Sequence, residues 1–185
     1  KRSEEKNVLI QSQLTALRTQ MNPHFMFNTL NSLQDLILKH DFKNTNYYLS
    51  KYAALLRMIL TNSEKSEITI EEEISMLDVY LKLEKLRFGE DFRYEIDCSE
   101  ELNQSNYLLP PMLLQPYIEN AIKHGLLHKS GSKILSIVFT ENEKSVICTI
   151  EDNGIGRKKS AEINDRQGKT YASFSSDAND KRMRL

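Results

Sequence analysis

A surplus of charge of either sign is missing from this sequence: 25 Lys and Arg stand against 26 Asp and Glu over 185 residues, a formal balance of −1. No global basic field exists to hold nucleic acid or an anionic lipid surface, so nucleic acid is excluded as a first reading. Cysteine is scarce. The two, Cys98 and Cys148, lie in apolar, strand-like stretches without paired metal spacing or secreted-scaffold density, and are read as reduced, buried thiols of a cytosolic chain. No apolar run approaches the roughly 18 residues of a membrane span, and no signal peptide precedes the first helical pattern. The chain opens without Met as "KRSEEKNVLIQSQL", already helical in pattern, and is expected to be a fragment with a membrane segment left to the missing upstream part. Internal repeats and low-complexity tracts are absent. What remains, 39% hydrophobic and 28% charged, is an ordinary globular composition for one domain or two small ones.

Ile10, Leu14, Leu17 and Met21 recur at spacings of a coiled-coil or bundle seam, which then meets His24 and Asn28. A second stripe, Met26, Leu30, Leu33 and Ile37, keeps helical register as far as "KHDFKN". "NYYLSKYAALLRMILTNS" predicts another helix, with Tyr48, Tyr52, Leu55, Leu56 and Ile59 as its apolar face. Two long helices joined by a short polar loop make an antiparallel hairpin. Thr69 with Glu72 forms a capping box that opens a third helix, expected over 70–88 and ended by Gly89. Beyond it the texture changes. "FRYEIDCS" alternates like a strand, "PPMLLQPYIENAIKHG" reads as a helix with proline in its first turn, and "KILSIVFTENEKSVICTIED" reads as a hairpin. The polar tail from Arg157 to Leu185 is expected to be a mobile segment and then a short helix.

Three stretches carry chemistry. In "MNPHFMFNTLN" a proline precedes His24 in what reads as one long helix, where an interior proline costs about 3 kcal/mol, so the helix is expected to bend there. His24 is either a packed bundle histidine or a reactive one. In "EDNGIG", directly after a strand, Asp152 offers an acceptor for an exocyclic amine, while Gly154 and Gly156 allow close approach and positive φ; a plain Asn-Gly turn is the alternative. In "IENAIKHG", Asn120, Lys123 and His124 fall at i, i+3 and i+4. One α-helical face thus presents an amide oxygen, an ammonium and an imidazole, suited to Mg²⁺ and phosphates or simply to a solvated helix end. His124 and His128 are four apart without a third ligand, so a metal-only site is discounted.

Together, "NPHFMFNTLN", "LLPPMLLQPYIENAIKHG" and "EDNGIGR" resemble a sensor histidine kinase of bacterial two-component signalling, of the subfamily whose phosphoacceptor lies in an Asn-Pro-His-Phe-x-Phe-Asn element. "YLKLEKLRF", 80–88, is similar to that subfamily's connecting helix. The resemblance covers about residues 10 to 157 and implies an α+β chain. Residues 1–66 would form dimerisation and phosphotransfer helices, two copies making a four-helix bundle. Residues 67–185 would form the connecting helix and an α/β sandwich ATP-binding domain of the gyrase, heat-shock protein 90 and histidine kinase type, truncated at its C-terminus. It implies His24 as phosphoacceptor with Asn28 as orienter, Asn120 as Mg²⁺ ligand, Lys123 and His124 as phosphate contacts, and Asp152 reading the adenine amine, with Gly154 and Gly156 shaping the nucleotide loop. ATP and Mg²⁺ would be the cofactors; a second copy and a response regulator's receiver domain the partners. The chain would be the cytoplasmic portion of an inner-membrane protein.

Two departures matter. Where many histidine kinases place a carboxylate after the histidine, this chain has Phe25, so no base is assigned. The glycine-rich stretch usual after the nucleotide lid corresponds to "SFSSDANDKRMRL", which has none, and this supports the alternative of a non-catalytic dimerisation and docking module with a degenerate pocket. An ATPase or serine kinase on the same fold is weakened by Pro116, which stands where an ATPase carries its water-activating Glu; Glu119 points about 100° away from Asn120 around the helix.

Overall fold

The computed structural model describes residues 22–103, 107–142 and 145–156, which fall into two compact units: 22–90 with 107–111, and 91–103 with 112–156. The seam through Ile10 and Met21 and the tail from Arg157 onward lie outside the described residues.

In the first unit, helix α1 (Pro23–Leu38) and helix α2 (Phe42–Ser63) form the expected hairpin, turned over three residues with His40 in the left-handed region at φ 57°. Pro23 is not interior to this helix. It occupies the first position of α1, where its missing N–H would have had no partner. Asn22 before it is extended, at φ −65° and ψ 112°, as a residue preceding proline prefers, and its side chain caps the helix. The buried face of α1 is Phe25, Thr29 and Leu33, rather than the stripe read from Met26 and Leu30, and Leu30 and Ile37 remain exposed. Helix α2 buries Tyr52, Leu55 and Ile59 as expected, while Tyr48 and Leu56 are half-buried.

Strand β1 (Ile68–Thr69) leads straight into helix α3 (Ile70–Phe88), which packs on both α1 and α2. The capping box forms: Thr69 Oγ1 accepts from the Glu72 amide at 3.2 Å, and Glu72 Oε2 accepts from the Thr69 amide at 3.0 Å. Lys65 joins Glu72 and is the main reason its carboxyl lies below the ordinary carboxylate range, with the Thr69 amide second. Gly89 ends the helix at φ 70°. Helix α3 is buried on nearly every side, two carboxylates included, Glu73 at 0% and Glu84 at 3% exposure.

In the second unit, strand β2 (Phe92–Cys98) pairs in parallel with strand β4 (Lys133–Asn142), and β4 pairs antiparallel with strand β5 (Ser145–Asp152). A parallel neighbour requires a crossover connection. That crossover carries the short helix α4 (Glu100–Asn103), strand β3 (Leu108–Leu109) and helix α5 (Gln115–Asn120). β3 belongs to the first unit, where Leu109 pairs with Ile68 and Leu108 with Thr69. Leu135, Ile137 and Phe139 of β4 and Ile118, Ile122 and Leu126 of the helical segment are buried apolar residues of this unit. "PPMLL" stays outside the helix as a turn with buried Met112 at φ 58°, and Pro116 sits in the first turn of α5. Cys98 and Cys148 are half-buried rather than fully enclosed. Burial, then Asp97, pushes the Cys98 thiol up, favouring its protonated form. Among the described residues no helix is long and apolar enough to cross a membrane.

Candidate functional site

His24 is the second residue of α1 and is exposed, not packed on the buried face. Its amide donates to Asn22 Oδ1 at 3.0 Å, so the cap that starts the helix also holds the histidine backbone. Asn28, one turn on, brings its side-chain amide to 3.0 Å from ring Nδ1 and 3.4 Å from Nε2. With the amide nitrogen toward the ring, Nδ1 accepts and the ring proton sits on Nε2. With the amide oxygen toward it, Nδ1–H donates and Nε2 presents its lone pair. Asn28 therefore selects the tautomer without being able to take a proton. One residue further, Phe25 is 3% exposed and stacks on Tyr80 of α3, ring centroids 4.6 Å apart.

The second constellation belongs to the other unit. Helix α5 does not continue as an α-helix: Ala121–Leu126 is a π-helical turn, and the Leu127 amide bonds the Ile122 carbonyl at 2.8 Å, five residues back. The segment thus departs from the 3.6-residue turn on which the expected face of Asn120, Lys123 and His124 rests. Asn120, Lys123 and His124 are all half-buried. Burial first, then Lys123 and His128, lowers the pKa of His124 below 6.5. The imidazole is thus neutral near pH 7, and the charge on this segment comes from Lys123.

The helical segment meets the end of β5 through Gly125. A Cβ on Gly125 would lie 2.3 Å from Asp152 Oδ1, and one on Gly154 would lie 2.4 Å from the Gly125 backbone. The Gly154 amide donates to Asp152 Oδ1 at 2.8 Å, and the Ile155 amide donates to the Gly125 carbonyl at 3.1 Å. Glycine at 154 is required by close approach rather than by positive φ; Gly156 has the positive φ, 79°. Asn153 fastens the turn to the sheet, accepting from the Ile134 amide at 2.9 Å and donating to the Ser132 carbonyl at 3.2 Å. Asp152 is thereby held exposed at the strand end, on the sheet face that carries Leu135, its pairing partner.

Gly125 was not singled out by sequence reasoning, although a glycine inside a helical pattern is itself a sign of close backbone approach. Asn153 was seen only as a turn former. The structure brings together Asp152, Gly154 and the helical segment bearing Lys123 and His124, and separately His24 and Asn28. Among the described residues no group of three His, Cys, Asp or Glu side chains is placed to hold a metal ion. A cation retained by one amide oxygen, phosphates and water fits this donor set; an all-protein cage does not.

An exposed histidine with an orienting amide at a capped helix start, and a carboxylate held by glycines between helix and sheet, are the two parts of the candidate site. Residues 12–92 match the histidine kinase family. The chain is 33% identical over 156 residues to the sensor histidine kinase YesM of Bacillus subtilis, covering 82% of this chain and 26% of that protein. It is 31% identical over 156 residues to the sensor histidine kinase/phosphatase LytS of Staphylococcus aureus (84% and 26%) and 30% identical over 154 to the sensor protein LytS of Staphylococcus haemolyticus (82% and 26%). These matches support a sensor histidine kinase. The chain spans about a quarter of the length of these curated relatives.

Proposed function

We propose that this chain is a sensor histidine kinase core in which His24 takes the γ-phosphoryl group of ATP and passes it to an aspartate of a response regulator's receiver domain. The observation that carries the reading is the exposed His24 ring, held through Nδ1 by Asn28 at 3.0 Å. With the Asn28 amide turned so that its oxygen accepts from Nδ1–H, the Nε2 lone pair forms the bond to phosphorus as the bond to the bridging oxygen breaks, ADP departs, and the ring gives up its Nδ1 proton to solvent. Lys123 meets phosphate charge, His124 offers a neutral hydrogen-bonding ring, and Asp152 accepts from the adenine amine. Asn120 would hold Mg²⁺, which neutralises phosphate charge when bound.

The close approach of Gly125 and Gly154, which fixes the exposed Asp152 at the strand end beside the helical segment bearing Lys123 and His124, supports an adenine-reading role for that carboxylate. Dimerisation through a four-helix bundle is part of the reading. It is supported by exposed apolar positions on the hairpin: Phe27, Leu30, Ile37 and Leu38 on α1, Phe42 and Leu49 on α2. We take residues 1–66 as the dimerisation and phosphotransfer part, 67–185 as the connecting helix and ATP-binding part, and the whole as the cytoplasmic portion of a membrane sensor.

The test is incubation of the full native protein with γ-labelled ATP and Mg²⁺ beside its His24→Ala variant. Acid-labile label lost in the variant supports the kinase. Absence of label with dimer formation intact turns the reading to a docking module.

A further inference from the structure

At the start of α1, Pro23 has no amide hydrogen and the amides of His24, Phe25 and Met26 bond back to Asn22. What the buried side chain of this turn packs on contributes to the turn's roll about the helix axis, and with it to the direction of the His24 ring. That side chain is Phe25, and its ring neighbour is Tyr80 of α3, 2% exposed, with planes inclined by 35°.

Tyr80 is itself anchored. Its hydroxyl donates to Glu84 Oε1 at 3.2 Å, and Arg87 Nη1 approaches Glu84 Oε2 at 3.3 Å. Burying a carboxylate is costly, and a packed apolar group of similar volume is often as stabilising, so such a network is better suited to fixing one geometry than to adding stability. Thr29 supports the turn from the other side, its hydroxyl bonding the Phe25 carbonyl at 2.9 Å.

We propose that Tyr80, braced by Glu84 and Arg87, is a positioning residue for phosphoryl transfer: by seating Phe25 it fixes the angle at which His24 is presented. This rests on the kinase reading above. Misplacing a reacting atom by about 1 Å can cost on the order of 100-fold, so a partial loosening is expected to be visible in turnover well before the fold is lost.

The experiment uses the full native protein with Tyr80→Leu, Tyr80→Phe and Phe25→Leu, measuring autophosphorylation kcat and KM for ATP, thermal melting, and labelling of His24 by phosphoramidate, a small donor that needs no alignment with the nucleotide. Tyr80→Leu and Phe25→Leu should each lower kcat by about tenfold, leave KM within about twofold and leave phosphoramidate labelling unchanged. Tyr80→Phe, which keeps the ring, should recover most of the loss. If the wild type takes no acid-labile label from ATP, the kinase reading itself falls. If the wild type is labelled and either folded leucine variant keeps its kcat within about twofold, or loses KM or phosphoramidate labelling instead, the positioning role is overturned while the kinase stands. Should Tyr80→Leu fail to fold, Phe25→Leu decides alone from the other side of the contact.

Discussion

The two units hold their reactive groups in opposite ways. Around His24, side chains do the holding: Asn22 caps, Asn28 orients, and Phe25 stacks on Tyr80. Around Asp152, the absence of side chains does it: Gly125 and Gly154 let helix and strand end close to distances no Cβ tolerates. Side-chain support can be weakened by degrees, because each contact contributes a share. Support by bare backbone is steric, and a single methyl group either fits or displaces something.

That contrast can be broken first at Gly154. Its Cβ would collide with Gly125 backbone, which cannot rotate away; Gly154→Ala is expected to destabilise the second unit by about 1–3 kcal/mol, as overpacking does, and to abolish the melting shift with Mg-ATP. Gly125→Ala sharpens the comparison. Its clash is with the Asp152 carboxylate, a movable side chain, so stability should fall by less than about 1 kcal/mol in chemical denaturation while nucleotide affinity drops at least about tenfold. Equal stability losses in the two variants would contradict the steric account. On the first unit, Asn28→Leu is expected to lower autophosphorylation about tenfold or more with no loss of melting temperature, since tautomer control is of the size of other proton-positioning effects. Thr69→Ala, which removes the capping box of α3, should cost about 1 kcal/mol in denaturant unfolding.

The smallest effect is a pH dependence confined to the second unit. His124 has a pKa lowered below 6.5, chiefly by burial. The unfolded chain therefore takes up the proton first as pH falls. The contribution of His124 to stability is complete above about pH 6.5 and is lost as pH drops through its depressed folded value. Melting temperature should decline in that window, and His124→Gln should flatten the decline; an unchanged slope would remove His124 as its source.

Much of this was legible beforehand, and the reasons are local. The capping box at Thr69 and Glu72, the stop at Gly89, and the alternation in "FRYEIDC" are written within a few residues, and helix α3 and strand β2 have the ends they predict. Two features read less well. Helical periodicity placed proline inside a helix because it cannot show where a backbone leaves the α-region; the extended Asn22 turns the same proline into a helix start. The spacing of Asn120, Lys123 and His124 assumed 3.6 residues per turn, whereas Ala121–Leu126 is a π-turn. Gly125 is informative only once Asp152, 27 positions later, is beside it, a relation that no local pattern contains.

The interruption at Asn22 and Pro23 has a mechanical meaning. A continuous helix transmits twist and push as a rod, because each turn is bonded to the one before it. Asn22 leaves the α-region, and the first amides of α1 turn back onto it. Single-bond rotations at Asn22 therefore act on α1 much as a flexible coupling acts in a drive shaft. The packing of Phe25 on Tyr80 is then a bearing that steadies the turn carrying the histidine.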